Sequence, residues 1–299
     1  MANKKNTARN IVIISLLLGS LLALAGSQGG AVWLDFPIFA VCVVLAFTIQ
    51  WLVFIPSYIQ QTEHYYDLVG SLTYLSVVIL ALTLRQDWDT RVILIALMVG
   101  VWALRLGSFL FLRIKKDGSD TRFDTIKPYP MRFFAAWTTQ GLWVAMTVSC
   151  GLVALTSATH MPLDWFAIIG VLVWVAGFTI EVLADYQKRV FRRRQDGQKG
   201  FIHSGLWAYS RHPNYFGEIV LWLGVSLVAL PVLDGWQHVT LLSPVFVSLL
   251  LTRVSGVPML EKTADKRWQG NRLYEEYKRQ TPVLIPRLTK PRLVVEDVV

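Results

Sequence analysis

Val92-Ile93-Leu94-Ile95-Ala96-Leu97-Met98-Val99-Gly100-Val101-Trp102-Ala103-Leu104-Arg105-Leu106-Gly107-Ser108-Phe109-Leu110-Phe111-Leu112 decides the fold. The run holds one charged residue, Arg105, and its length matches the roughly 20 residues a helix needs to cross about 30 Å of hydrocarbon. Lipid offers no hydrogen-bond partners, so a segment of this kind crosses as a helix whose backbone groups are satisfied internally. Similar runs lie on both sides. Spans are predicted at Ile11–Ala25, Val32–Ile55 and Val69–Leu84 before it, and at Phe133–Ser157, Leu163–Leu183, Tyr215–Pro231 and Val239–Val254 after it. The expected fold is all-α: a polytopic transmembrane helical bundle of about eight spans.

The composition agrees. Of the 299 residues 54% are hydrophobic and 16% charged, against about 25% charged in an ordinary soluble domain. The net charge of +9 does not signal nucleic acid, because the basic residues fall beside the apolar runs, where they set topology. With the N-terminus in the cytoplasm, that side receives all but three of the 29 Lys and Arg; the exceptions are Arg85, Arg91 and Arg105. Both termini are therefore expected to be cytoplasmic, in a bacterial inner membrane. Lys4, Lys5, Arg9, the apolar run after them and Ala23-Leu24-Ala25 also fit a cleavable signal peptide, which would leave seven spans. Cys42 and Cys150 lie inside apolar runs and read as packing residues, with no disulfide or metal site implied. No repeat or linker divides residues 1–299, which read as a single membrane domain.

The chemistry gathers on the expected cytoplasmic side. Ser210-Arg211-His212-Pro213-Asn214-Tyr215-Phe216-Gly217-Glu218 stands directly before the seventh span. Pro213 suits a first helical turn, whose free N–H groups attract anions. Asn214 and Glu218 share a helical face, and a buried Glu there needs specific hydrogen bonds. His, Asn and Glu add nothing to topology, so a plain positive loop with a cap does not account for them. At the end of the sixth span Glu181, Asp185 and Arg189 form an i, i+4, i+8 stripe, followed by Arg192-Arg193-Arg194 and Lys199. Some of this is an internally paired helix end worth a few tenths of a kcal/mol. Glu181 lies too deep for that account, and the basic cluster fits either phosphate or a solvated, lipid-facing run.

Arg105 stands within a span and calls for a partner; snorkelling fits its depth less well. It is followed by Arg113, Asp120, Arg122, Phe123 and Asp124. In the tail, Tyr274, Tyr277 and Leu284-Ile285-Pro286 sit among charges and read as an amphipathic segment against the membrane. Glu63-His64-Tyr65-Tyr66-Asp67, between spans two and three, offers proton donors, with an interfacial aromatic belt as the plainer reading.

Arg-His-Pro-Asn-Tyr-Phe-Gly-Glu at 211–218, with Leu206-Trp207-Ala208-Tyr209 ahead of it and Leu284-Ile285-Pro286 at the end, resembles the steroid 5α-reductase-like superfamily. It is most similar to the bacterial branch carried under a domain of unknown function. The Arg-His-Pro-x-Tyr-x-Gly core is shared with isoprenylcysteine carboxyl methyltransferases. The resemblance implies that the C-terminal helices and their cytoplasmic loops, over residues 164–290, enclose NADPH. Asn214 and Glu218 match the family's Asn and Glu at the start of the penultimate helix. Asp185, Arg189 and Arg192 match a cofactor-binding Asp–Arg–Arg series, and Glu181 stands where the reductases have Asn. Arg105 matches an Arg near the cofactor, and Tyr277 matches a tail Tyr. Arg211, His212, Tyr215 and Lys199 complete the expected cofactor set.

There are departures. Steroid reductases polarise the substrate carbonyl with a Glu from an early helix and a Tyr from a later one. Trp102 stands where that Tyr would be, so a steroid substrate is not implied. The expected activity is NADPH-dependent reduction of a carbon–carbon double bond in an apolar, steroid- or isoprenoid-like enone, with Tyr65, Tyr66 and Glu63 as candidate donors to the substrate oxygen. Two other readings stay open. A methyltransferase would use S-adenosylmethionine on a lipid-like acceptor, but that cofactor has no phosphate for the Arg189–Lys199 cluster. A transporter or scaffold would place polar groups near the midplane and often show inverted repeats. The expected partners are the bilayer and an apolar small molecule.

Overall fold

The computed structural model describes residues 2–85, 87–117, 123–194 and 200–289. Among them are eight helices long and apolar enough to cross a membrane, and the chain is an all-α, multi-pass integral membrane protein. In chain order the helices are α1 (Ala2–Gly26), α2 (Ile38–Ile59), α3 (Tyr66–Arg85), α4 (Thr90–Asp117), α5 (Pro130–Thr156), α6 (Trp165–Arg194) and α7 (Pro213–Ala229). The eighth crossing changes character along its length. A 3-10 segment over Gly235–Leu242 leads into α8 (Ser243–Leu249), and a π-helical turn over Leu250–Val254 follows. The path then turns at Ser255, φ −124° and ψ −83°, into α9 (Gly256–Trp268) and α10 (Arg272–Gln280).

The second span begins at Ile38 and not at Val32, because residues 32–37 fold into a two-residue hairpin. Strand β1 (Val32–Trp33) pairs antiparallel with β2 (Phe36–Pro37). The linking residues Leu34 and Asp35 take φ 47° and 66°, the left-handed values that a tight hairpin demands. Pro37 then caps α2.

The chain forms two compact units, Met1–Gly170 with Val225–Ser243, and Val171–Gly224 with Pro244–Val299. In the first, α5 is the central helix, with α1, α2 and α3 packed on it. Its apolar window is 83% buried, against 22% for α1. The aromatic cluster of Phe123, Phe133 and Trp137 surrounds Tyr66 at one end. At the other end, two buried arginines bind helix ends and the loop ahead of α6. Arg85 Nη1 donates to the Ala154 carbonyl at 3.0 Å. Arg91 donates to the carbonyls of Val228 at 2.5 Å and Pro162 at 2.7 Å, and pairs with Asp164 at 3.2 Å. Cys42 and Cys150 are both free and buried.

In the second unit α6 and α7 cross at glycines. A Cβ on Gly177 would lie 2.5 Å from the Leu221 nitrogen, and one on Gly217 would lie 2.6 Å from the Glu181 nitrogen. Small residues permit this backbone-to-backbone approach, as in membrane helix pairs generally.

A candidate cofactor cavity in the second unit

The glycine crossing brings together the polar residues on either side of it. Gly177, Glu181 and Asp185 follow one stripe of α6, and Asn214, Gly217 and Leu221 follow one stripe of α7. Asn214 Nδ2 donates to Asp185 Oδ1 at 3.2 Å. Glu181 and Asp185 are both buried, and Glu218 is half-buried one residue beyond Gly217. The acids that the sequence placed at the end of a span therefore meet the start of the next one.

Beside this lies a cavity of about 410 Å³, within the size range of small-molecule sites. Lys188 and Arg192 line it from α6, Arg211 and His212 from the turn ahead of α7, and Glu261 and Arg267 from α9. Aromatic faces complete the wall: Phe201, Trp207, Trp268, Tyr274 and Tyr277. The Lys188 ammonium lies 4.6 Å from the Trp207 ring centre, and the Arg267 guanidinium lies 5.2 Å from that of Trp268. Among the described residues, neither Arg192 nor Arg267 has a carboxylate partner.

Glu261 is the acidic residue of the wall, and it is already engaged. Its carboxylate meets Arg211 Nη1 at 2.9 Å, His212 Nε2 at 2.9 Å and Lys278 Nζ at 3.7 Å. His212 is 5% exposed and stacks on Tyr215, with ring centres 5.6 Å apart and planes 7° apart. Burial pushes the His212 imidazole below the ordinary histidine range, a shift that the Glu261 contact opposes in part.

The tail closes the wall through hydrogen bonds. Tyr277 donates its hydroxyl to the Trp207 carbonyl at 2.7 Å, and burial raises its pKa. Arg211 N donates to the Pro282 carbonyl at 2.9 Å, Ser210 Oγ to that of Leu284 at 2.7 Å, and Arg287 N to that of Tyr209 at 3.0 Å. The sequence preceding α7 and the Leu-Ile-Pro tail are thus one stitched surface.

The expected cofactor residues divide accordingly. Arg192, Arg211, His212 and Tyr277 line the cavity, and Tyr215 backs His212. Glu181, Asp185, Asn214 and Glu218 belong to the crossing. Arg189 is exposed, its guanidinium 5.8 Å from the Tyr186 ring centre. Lys199, Asp120 and Arg122 lie outside the described residues, as does the side chain of Arg113. Arg105 belongs to the first unit, half-buried with its guanidinium 5.5 Å from the Phe109 ring centre.

The candidate donors also belong to the first unit. Glu63 is buried and ion-paired with Lys127, which reaches Asp124 at 3.4 Å. Tyr66 donates its hydroxyl to the Ala136 carbonyl at 2.9 Å. Tyr65 is 51% exposed, edge-on to His64. Sequence reasoning missed Lys188, Trp207, Glu261, Arg267 and Trp268 as wall residues. The available signal was the α9 stripe of Glu261 and Asp265, an i, i+4 acidic pair directly after an apolar span.

A family model described as "Protein of unknown function (DUF1295)" matches residues 53–281. The chain is 27% identical over 128 residues to 3-oxo-5-alpha-steroid 4-dehydrogenase 1 of Rattus norvegicus, a stretch covering 41% of this chain and 44% of that protein. It is 29% identical over 129 residues to the protein of the same name from Macaca fascicularis, covering 42% and 44%. It is 26% identical over 122 residues to steroid 5-alpha-reductase DET2 of Gossypium hirsutum, covering 41% and 42%. The chain spans less than half the length of these curated relatives. No solved structure matches.

Proposed function

We propose, on the premise that the chain belongs to the DUF1295 family, that it is a membrane-embedded reductase that uses NADPH to reduce a carbon–carbon double bond in an apolar enone. One observation carries this reading: a cavity of about 410 Å³ walled by cations and aromatic rings, whose acidic residue is already engaged. Such a wall suits a ligand that joins phosphates to flat rings. Guanidinium forks hold phosphate oxygens, and aromatic faces receive a base. The names of the curated relatives, a steroid 4-dehydrogenase and a steroid 5-alpha-reductase, support the redox class.

The residues present fit the cofactor. Arg192, Arg267 and Lys188 would take phosphates, the rings of Phe201, Trp207 and Trp268 a base, and the buried His212 Nδ1, which has no hydrogen-bond partner among the described residues, a donor group of the ligand. Bound there, NADPH would supply a hydride, so the protein itself needs no strong nucleophile. The protein's part is to bind and orient, to keep water out, and to hold a proton for the substrate oxygen. Of the candidate donors Tyr65, Tyr66 and Glu63, Tyr66 is engaged with the Ala136 carbonyl and Glu63 with Lys127. The distribution of Lys and Arg supports a cavity that faces the cytoplasm, and the membrane proposed is a bacterial inner membrane. S-adenosylmethionine fits less well, because it has no phosphate for Arg192 and Arg267.

The reading is tested by titrating the detergent-purified chain with NADPH, NADH and S-adenosylmethionine, following thermal stability and Trp fluorescence. Stabilisation by NADPH, followed by its oxidation on addition of apolar enones, is the expected result. A response to S-adenosylmethionine alone would replace reduction with methyl transfer, and no response to any of the three would remove the enzyme reading.

A further inference from the structure

We infer that Glu261 is a positioning residue: it fixes the tautomer of His212, so that the imidazole offers Nδ1 as a hydrogen-bond acceptor to a hydroxyl or amide N–H of the ligand. Four observations converge. Glu261 lies 2.9 Å from His212 Nε2 and is held by Arg211 Nη1 at 2.9 Å and Lys278 Nζ at 3.7 Å. Between those two cations it is an ionised carboxylate, which can only accept hydrogen bonds. The proton in that contact therefore belongs to Nε2.

A neutral imidazole carries one N–H, so Nδ1 is left as a bare acceptor. His212 is 5% exposed and lines the cavity, and among the described residues its Nδ1 has no hydrogen-bond partner. A buried acceptor without a partner is destabilising, and a ligand donor would relieve that cost. Tyr215 covers one ring face at 5.6 Å and 7°, so the ring cannot tip to present another edge. Glu261 thus acts on the ligand through His212, 49 residues away in sequence.

The ligand chemistry follows from the wall. A group that donates a hydrogen bond to Nδ1, in a cavity that also holds the guanidiniums of Arg192 and Arg267, combines a hydroxyl or amide with phosphate. The inference rests on the NADPH reading for the identity of that ligand, while the tautomer stands independently of it.

The experiment uses the full chain, labelled with ¹⁵N-histidine and held in detergent. Nitrogen chemical shifts distinguish an Nε2–H from an Nδ1–H imidazole, and the chain has only 5 His to assign. Without ligand, His212 is expected to be the Nε2–H tautomer, and NADPH should shift its Nδ1 resonance toward that of a hydrogen-bonded acceptor. Glu261→Gln keeps the side-chain shape but can both donate and accept, which frees the tautomer. That variant should show a mixed His212 population and bind NADPH about tenfold more weakly. Among the charged groups around the ring, Glu261, Arg211, Lys278 and Lys188, it alters only the first. An Nδ1–H tautomer in the wild type would overturn the inference even if the variant does not fold. So would a Glu261→Gln chain that binds NADPH as tightly as the wild type. A wild type that ignores NADPH but holds the Nε2–H tautomer would instead remove the nucleotide reading and leave the role of Glu261 in place.

Discussion

Gly177 and Gly217 face each other across the α6–α7 crossing so closely that a Cβ on either would lie 2.6 Å from the other's carbonyl oxygen. The obstructing atoms are backbone and cannot swing aside. Gly217→Ala should therefore push the helices apart, costing about 1–3 kcal/mol as overpacking does. The intrinsic helix preference of Ala opposes this by at most about 1 kcal/mol. The net sign is destabilising. Asp185 and Asn214 pair about one to two turns from the contact, so NADPH affinity should fall together with the melting temperature. An Ala variant as stable as the wild type would show that the crossing is looser than these distances say.

Much of this architecture is legible in the sequence, and the parts that are not have physical causes. Apolar runs placed all eight spans, because lipid permits so few alternatives. The stretch Arg211–Glu218 stands out in the sequence as a candidate site because His212, Asn214 and Glu218 serve no topological purpose. Glu261 was not, since its partners come from 49 residues earlier and no local pattern reports that pairing. Arg189 marks a limit of stripe arguments. Each four-residue step drifts about 40° around a helix, so two steps carry Arg189 well away from the face of Glu181, out to the ring of Tyr186. The hairpin at Leu34-Asp35 was hidden because Leu34 disfavours a left-handed backbone and no glycine marks the turn; only Pro37 hinted that α2 starts late.

Arg91 is 1% exposed and holds two carbonyls and a carboxylate, from Val228, Pro162 and Asp164. Arg91→Met leaves all three acceptors without that partner, and a loss of about 3 kcal/mol is expected. Arg91→Lys keeps the charge, but a single ammonium does not reproduce the fork, so its melting temperature should fall between those of the wild type and the Met variant. The check is thermal unfolding of the three chains side by side. Equal stability of the Lys variant and the wild type would mean that charge alone does the work.

Burial holds the His212 imidazole below its unfolded pKa, and the sign of the pH effect follows. As pH falls through the ordinary histidine value, about 6.5, the unfolded chain takes up a proton that the folded chain resists. The stability that His212 contributes is present above that value and is lost below it, levelling off once the folded form is also protonated. Melting temperature should therefore drop from pH 7 to pH 5. His212→Phe, which keeps a ring against Tyr215, should flatten that slope. The same protonation turns Nδ1 from an acceptor into a donor, so NADPH affinity should fall over the same interval. A slope unchanged in the Phe variant would assign the pH dependence to another group.

Arg192 from α6 and Arg267 from α9 supply guanidiniums to one cavity, neither with a carboxylate partner among the described residues. NADPH and NADH differ only in the 2′-phosphate, so the pair of cofactors reads out what these guanidiniums touch. Arg192→Gln and Arg267→Gln should each weaken NADPH binding about tenfold, roughly 1.4 kcal/mol, and leave NADH nearly unchanged. Added salt should narrow the difference between the cofactors, because both guanidiniums are solvent-accessible and screened. Lys at either position should recover part of the loss, since it keeps the charge without the fork. Equal losses for both cofactors would move the two arginines from the 2′-phosphate to the diphosphate, and no loss for either would take the nucleotide out of this cavity.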